Sequence, residues 1–544
     1  MQKNILFIMY DQLRHDYLGC AGHPTIRTPH MDALAARGVR FSNAYVQSPV
    51  CGASRMSTYT GRYVHSHGAA YNGFPLRVGE MTLGDHLRSA GMGCWLIGKT
   101  HMKADAAGMA RLGLTPDSVI GARQAECGFD VWERDDGLWA SGPHGPYDDK
   151  RSPYNEYLKH QGYAGDNPWA DFANAGADGD DLASGWFMQN AARPANIREQ
   201  DSETPWLTRR ALAFLDQAQG PWCAHVSFIK PHWPYIVPAP YHDMYTPQDV
   251  VPALRDAREK DDPHPVYGAF MDSRVGQSFA RNEVRDVVIP AYMGLITQCD
   301  DQLGVLLAHL KATGQDKDTV IVLTSDHGDY LGDHWMGEKD LFHDPSVRVP
   351  LIICDPSPAA DATRGTICDA LVESIDLAAT FIDIAGAQVP RHIVEGRSLC
   401  PFLTGETVTQ WRDYVISEYD YSKSPMRAAL GVSIRDARLF MVADKRWKLI
   451  HAEGGFRPML FDRKEDPQEF VDQGASDAHR DVIAQMYAHL ANWARRPSQR
   501  VTISDAQIEA GTGTGDEVGI LLGAFTPEDV APDVAAVYQG KIPD

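Results

Sequence analysis

Short apolar runs punctuate the first two thirds of the chain, at residues 4–10, 94–97, 222–228, 319–324 and 349–354. They do not alternate with polar residues, the pattern of strands buried on both faces of a parallel sheet. Between them the period changes to that of helices. Thr28-Pro29-His30 leads into a helical run at 31–37, and residues 291–310 carry apolar side chains at helical spacing before Gly314. Strands alternating with helices predict an α/β fold: a large mixed, mostly parallel sheet sandwiched by helices, over residues 1–410. After about residue 411 short alternating strands are expected at 414–418, 438–442 and 447–451. An amphipathic helix follows near 477–495, with Val482, Met486, Leu490 and Trp493 on one side. That reads as a smaller C-terminal α+β subdomain, 411–505.

From 126 to 216 the texture changes to Gly, Asp, Trp and Tyr with little periodicity, and Trp132, Trp139, Tyr147, Tyr154, Trp169 and Trp186 fall there. Long loops of this kind wall a site, elaborate the surface or make oligomer contacts. Residues 506–544 read as a tail whose mostly apolar 520–525 would serve as an arm on a neighbouring subunit, so a homo-oligomer is expected.

The polar residues between these elements are not scattered. Asp11-Gln12 follows the first strand, Lys99 and His101 the second, His232 the third, and Asp326-His327 the fourth. In doubly wound sheets the site lies beyond the carboxyl ends of the strands, so four polar clusters converge there. Carboxylate, amide oxygen and imidazole suit a divalent ion, although each dipeptide alone is equally at home in a cap or turn. Between the first two clusters lies Cys51-Gly52-Ala53-Ser54-Arg55, followed by Thr60-Gly61-Arg62. Residues 54–60 suffice for about two helical turns, and Gly61 is the residue type expected just past the end. Cys51 then sits at a helix N-terminus, where free N–H groups and the helix dipole favour anions. Arg55 adds a permanent charge with bidentate geometry. The plain alternative is a reactive or buried thiol near a helix start.

Composition narrows the setting. At 544 residues the chain exceeds one typical core. Its 51 basic and 72 acidic side chains give a net charge of −21, which argues against non-specific nucleic-acid binding but leaves an anionic substrate possible in a cationic cleft. Nine cysteines without paired spacing point to a reducing compartment and a cytoplasmic protein. The N-terminal apolar run is too short for a signal peptide, and no stretch approaches the roughly 18 apolar residues of a membrane span.

The Cys51–Arg55 pattern with its downstream Thr-Gly-Arg resembles the signature of type I sulfatases, Cys-x-Pro/Ala-x-Arg, in the alkaline phosphatase superfamily. The resemblance extends over most of residues 3–355, through Thr28-Pro29-His30-Met31-Asp32, Gly98-Lys99-Thr100-His101 and Ser325-Asp326-His327-Gly328. Echoes continue in Trp447-Lys448-Leu449, Leu460-Phe461-Asp462 and Asp466-Pro467-Gln468-Glu469. It implies that a formylglycine-generating enzyme converts Cys51 to formylglycine, whose hydrated aldehyde is the nucleophile. It also implies one divalent ion, calcium first and manganese or magnesium as alternatives, held by Asp11, Gln12, residue 51, Asp326 and His327. By the same resemblance Arg55 holds the diol and the anion, Lys99 and Lys339 bind sulfate oxygens, and His232 serves the leaving oxygen. His101 is the base that releases sulfate, and Asn72 lines the pocket.

Two positions depart from the common sulfatase pattern: Gln12 stands for aspartate and His327 for asparagine. Both resemble the phosphonate monoester hydrolase and choline-sulfatase-like branches. Lys99-x-His101 instead looks like the sulfatase pair, which phosphonate hydrolases replace with uncharged residues. The expected activity is therefore hydrolysis of sulfate monoesters, arylsulfatase-like. A phosphonate monoester or phosphodiester hydrolase with the same machinery is the alternative, and a metal-binding or assembly protein with unmodified Cys51 is a more distant one.

Overall fold

Strand β1 (Asn4–Asp11) has Ile5, Phe7 and Met9 in one hydrophobic core and Leu6, Ile8 and Tyr10 in another. A strand apolar on both faces must be covered on both, which makes the sandwich. The computed structural model describes residues 3–115, 117–137, 152–179, 181–496, 501–512 and 524–538. The further strands are β2 (Val39–Tyr45), β3 (Gly93–Gly98), β4 (Asp130–Arg134), β5 (Ala175–Asp178), β6 (Asp181–Ser184), β7 (Trp222–Pro231), β8 (Thr319–Ser325), β9 (Leu351–Cys354) and β10 (Thr366–Glu373). Eight of these build the main sheet in the order β10-β2-β9-β8-β1-β7-β3-β4, and β5 pairs with β6 in a separate hairpin. The large mixed, mostly parallel sheet expected from the sequence is present.

One run is oriented otherwise than the sequence pattern indicates. Residues 349–354 read as a parallel strand, but β9 runs antiparallel to both β8 and β2. Apolar content reports burial, not direction. Three strands escape the pattern altogether. β2, β4 and β10 mix polar and apolar positions (VRFSNAY, DVWER, TICDALVE), and β4 and β10 are the sheet edges, where one flank faces solvent.

Helix α1 (Pro29–Arg37) and the long helix Asn282–Thr313 bury Met31, Leu34, Val288, Ile296 and Leu303 in one core. Helix α2 (Cys51–Thr60) enters the other through Ala53, Met56 and Tyr59. The long helix starts well before residue 291 and runs through Pro290. The 126–216 segment is less irregular than its composition implies. It contains β4, the helix Pro153–His160, the β5–β6 hairpin and the amphipathic helix Glu203–Gln217. Trp139 and Tyr147 lie outside the described residues, as do 520–523 of the tail; Phe525 is 95% exposed.

Beyond the main sheet, β11 (Val415–Asp420), β12 (Arg438–Ala443), β13 (Trp447–Ala452) and β14 (Met459–Asp462) form an antiparallel sheet in sequential order. Met486 and Trp493 of the helix Arg480–Ala494 cover one face over Ile416, Val442, Leu449 and Leu460. Lys448 fastens this sheet to the larger one. Its Nζ, wholly buried, lies 2.7 Å from Asp344 Oδ1 and 2.6 Å from Glu469 Oε1, and donates to the Phe342 carbonyl at 2.9 Å. Among the described residues no helix is long and apolar enough to cross a membrane.

Register brings the polar strand ends together. Asp11 pairs with Pro231, Tyr10 with Ser325, and Gly98 with Ser227. His232, Asp326 and Lys99 are each the next residue along.

Candidate active site and metal centre

Val50 is extended (φ −111°, ψ 139°), and Cys51 is the first residue of α2. No side chain caps this helix at its N-cap residue. The Gly52 N–H, one of the donors left free by helix geometry, donates instead to Asn72 Oδ1 at 2.7 Å. A Cβ at position 52 would meet that oxygen at 2.9 Å, so glycine is what allows Asn72 to approach. Gly61, at φ 66°, ends the helix as expected. Cys51 is 1% exposed. Its Sγ lies 3.0 Å from His327 Nε2 and 3.8 Å from Asp11 Oδ1.

Asp11 and Asp326 are both buried and share one arginine. Arg55 Nε is 2.7 Å from Asp326 Oδ2 and its Nη2 is 3.2 Å from Asp11 Oδ2. Its Nη1 donates to the Lys99 carbonyl (2.9 Å) and to Ser227 Oγ (2.7 Å). Sequence reasoning aims Arg55 at the bound anion. The structure buries it completely behind the two carboxylates, where it orients them. Lys99 Nζ sits 2.5 Å from Asp11 Oδ2, on the same carboxylate.

Gln12 adopts φ 67° and donates its backbone N–H to Asp326 Oδ1 at 3.1 Å. Its side-chain Nε2 donates to Asp329 Oδ2 and to the Tyr235 hydroxyl, and that hydroxyl donates to the same carboxylate at 2.7 Å. With its NH₂ committed there, Gln12 turns Oε1 into the site, 3.3 Å from Lys339 Nζ. Lys339 also donates to His232 Nε2 at 3.1 Å. His232 Nδ1 lies 2.7 Å from the Trp233 carbonyl, which only accepts. The proton of the neutral ring is thereby assigned to Nδ1, with Nε2 as acceptor.

His101 is held at φ 54°, with the Thr100 and His101 N–H groups both donating to Asp136 Oδ1 (3.0 and 3.2 Å). Its ring Nδ1 is buried without a hydrogen-bond partner. Gln12, His101, Glu338 and Asp340, all non-glycine residues at positive φ, crowd this one region, as strained backbone does at functional sites. Asp329, Asp136, Tyr235 and Ser227 escape sequence reasoning. Asp329 follows Asp326-His327-Gly328 closely enough to have been suspected; the others are singled out by no local pattern.

Electrostatics follow from this packing. Burial pushes the Cys51 thiol up, but Lys339, His327 and Lys99 pull it well below its ordinary value and His101 adds a hydrogen bond to the anionic form. Burial and Cys51 push Asp11 up, and Lys99, His232 and Arg55 more than reverse this, leaving it below the usual carboxylate range. Burial, with Lys339 beside it, lowers His232 to about 4, so its ring is neutral near pH 7. Burial also opposes charge on His327, but Asp326 and the Cys51 anion raise it to about 9. The position of residue 51 is thus one where negative charge is well supported.

Asp11, Cys51, Asp326 and His327 each offer a donor atom, all within 4.8 Å of one another. Two carboxylates, an imidazole and the inward Gln12 amide oxygen form a mostly hard donor set that fits one divalent ion; His327 gives up its proton on ligating. Glu259, His334 and His343 also gather, but the two rings stack at 3.7 Å and 3°, which keeps their lone pairs parallel rather than convergent. We expect one divalent ion per chain in the purified protein. Elemental analysis should show it lost from Asp326→Ala, and an ion-free wild type would refute the site.

The family model described as Sulfatase matches residues 3–387, and one described as N-sulphoglucosamine sulphohydrolase, C-terminal, matches residues 332–496. The multifunctional alkaline phosphatase superfamily protein PehA of Trinickia caryophylli is 29% identical over 533 residues, covering 90% of this chain and 95% of that protein. An arylsulfatase of Clostridium perfringens is 29% identical over 492 residues, covering 89% and 92%. Among solved structures, the phosphonate monoester hydrolase SpPMH from Silicibacter pomeroyi superposes with a TM-score of 0.80 at 31% identity, covering 92% of this chain and 96% of that one.

Proposed function

Because the chain belongs to the sulfatase family and is thereby a sulfuric ester hydrolase, we propose that it cleaves sulfate monoesters, aryl sulfates among them, with a formylglycine made from Cys51 as nucleophile. One observation carries this reading. Sγ of Cys51, at the head of a buried helix, meets the Asp11–Asp326–His327 cluster on one side and lies in the field of Lys339 and Lys99. Conversion by a formylglycine-generating enzyme, a two-electron oxidation of Cβ for which that enzyme brings the oxidant, removes sulfur and two hydrogens and adds one oxygen, and hydration gives two hydroxyls on the former Cβ.

Asp11, Asp326, His327 and Gln12 would hold a divalent ion, calcium by preference, which when bound would supply Lewis acidity for the attacking hydroxyl and the ester oxygens. Lys99 and Lys339 hold the remaining sulfate oxygens. One hydroxyl of residue 51 attacks sulfur in line while the S–O bond to the alcohol breaks; the proton of that hydroxyl ends on the departing oxygen, at which Lys339, held by His232 Nε2, donates the hydrogen bond. His101 then takes the proton of the second hydroxyl, the aldehyde re-forms, and sulfate leaves. Arg55 acts from behind by fixing Asp11 and Asp326. The nine free cysteines, including the facing pair Cys94 and Cys223 on adjacent strands, support a reducing compartment.

Gln12, His327 and the likeness to SpPMH favour a second reading, hydrolysis of phosphonate monoesters or phosphodiesters. Such esters carry one more organic substituent than a sulfate monoester, and the long side chains at 99 and 101 narrow the room for it. Matched aryl esters decide between the two. Lys99→Ala with His101→Ala should lower kcat/KM for the sulfate on the order of tenfold more than for the phosphonate. Equal losses, or a wild-type preference for the phosphonate, would overturn the sulfate assignment. The mass of the Cys51 peptide tests the nucleophile separately: unmodified cysteine in a fully active preparation rules formylglycine out.

A further inference from the structure

A cleft of about 740 Å³ is lined by residues that stand next to His232 and Lys339 in the chain. Trp233 and Glu338, direct chain neighbours of those two residues, form its inner wall. The His232 and Trp233 rings lie 4.5 Å apart. The outer wall comes from the segment just after β6, where Trp186 meets Trp233 edge-on at 5.6 Å, and Phe187 follows. Val275 and Phe279, from the short helix Arg274–Phe279, close the opposite side. Trp186 and Phe187 keep 39% and 67% of their surface exposed. Large aromatic faces open along one cleft are the informative exception to ordinary surface composition.

We infer that this cleft receives the leaving group of the ester, and that the group it selects is an extended aromatic alcohol of two or more fused rings, since a cleft of about 740 Å³ lies in the range of small-molecule sites and exceeds what a single ring fills. The inference rests on the sulfate-ester reading above. The donor at the leaving oxygen is Lys339, whose Nζ is held 3.1 Å from the accepting His232 Nε2, so the carbon side of the scissile bond points toward Trp233. Rings there meet aromatic walls in edge and offset contacts. Of the charged lining, Arg281 pairs with Glu283 at 3.1 Å and Glu338 lies 4.0 Å from Lys339, which leaves Arg274 as a single cation against the several charges of a polyanion. An apolar ring is accordingly a better occupant than a polyanionic saccharide. The 126–216 insertion, through Trp186 and Phe187, becomes the element that sets leaving-group preference.

The test compares naphthyl sulfate with phenyl sulfate, whose leaving alcohols are of similar acidity, in the wild type and in the Trp186→Ala/Phe187→Ala double variant. The double variant should lose roughly tenfold in kcat/KM for the naphthyl ester and change little for the phenyl ester, with inhibition by inorganic sulfate unaltered. Equal losses on both esters, or no loss on either, overturn the inference. Naphthol binding, followed by tryptophan fluorescence, does not require turnover. If the wild type cleaves neither ester, the sulfate reading fails, and the cleft then stands or falls on whether the double variant weakens naphthol binding about tenfold.

Discussion

Cys51→Ala should remove turnover while leaving the protein folded. Alanine keeps the first turn of α2, and its Cβ fits where Cys51 is already buried among His327, Asp11 and the neighbouring lysines. What disappears is the thiol whose replacement by oxygen on Cβ would supply the proposed nucleophile. The circular dichroism spectrum should match the wild type. A variant retaining more than about a tenth of the wild-type rate would exclude a covalent route through residue 51. Cys51→Ser separates attack from release. An ordinary serine ester lacks the second hydroxyl that lets an aldehyde re-form, so a sulfated peptide should accumulate in place of steady turnover.

The second large effect lies away from the chemistry. Lys448→Ala should destabilise the protein by about 3–5 kcal/mol, because removing one member of a buried ion pair leaves uncompensated charge. Asp344 and Glu469 would both lose the ammonium that now lies 2.7 and 2.6 Å away. Arg463, 3.2 Å from Asp344 on its other oxygen, only partly replaces it. The sign with pH follows from Asp344. Burial pushes its carboxyl up, but Lys448, Arg463 and Arg348 hold it well below the ordinary value. A carboxylate depressed by folding contributes its full stability above its unfolded value, and that contribution is lost as pH falls through the folded value. Without Lys448 that loss begins at higher pH. Denaturant titrations at neutral pH and down the acid limb measure both effects, and an acid midpoint identical to the wild type would rule out this role for the ion pair.

Trp447-Lys448-Leu449 and Asp466-Pro467-Gln468-Glu469 stand out in the sequence only as echoes of a family pattern. In the folded chain Lys448 and Glu469 are two sides of one buried cluster whose third member, Asp344, belongs to the loop region between β8 and β9. No spacing rule links positions 344, 448 and 469, since the contact exists only after the C-terminal sheet docks. Lys339 shows the same limit. By spacing it is one lysine among many, yet its ammonium bridges Gln12 and His232.

Three features are legible in the linear chain: the strands whose burial is written as continuous apolar runs, the polar residues at their carboxyl ends, and the helix headed by Cys51. Each of these is a local property: a run of side chains, the residue after a run, a cysteine four positions before an arginine and a glycine past the last turn. The direction of β9, which its composition leaves open, is set by its neighbours in the folded sheet. The same holds for Arg55, whose guanidinium could face an anion or the carboxylates behind it and is committed to Asp11 and Asp326. Gln12 is the sharpest case. Its amide can present oxygen or nitrogen to the site, and the choice is made by Asp329 and Tyr235, residues 317 and 223 positions away. Hydrogen bonds between such distant residues carry no periodicity, because folding, not sequence spacing, sets their geometry.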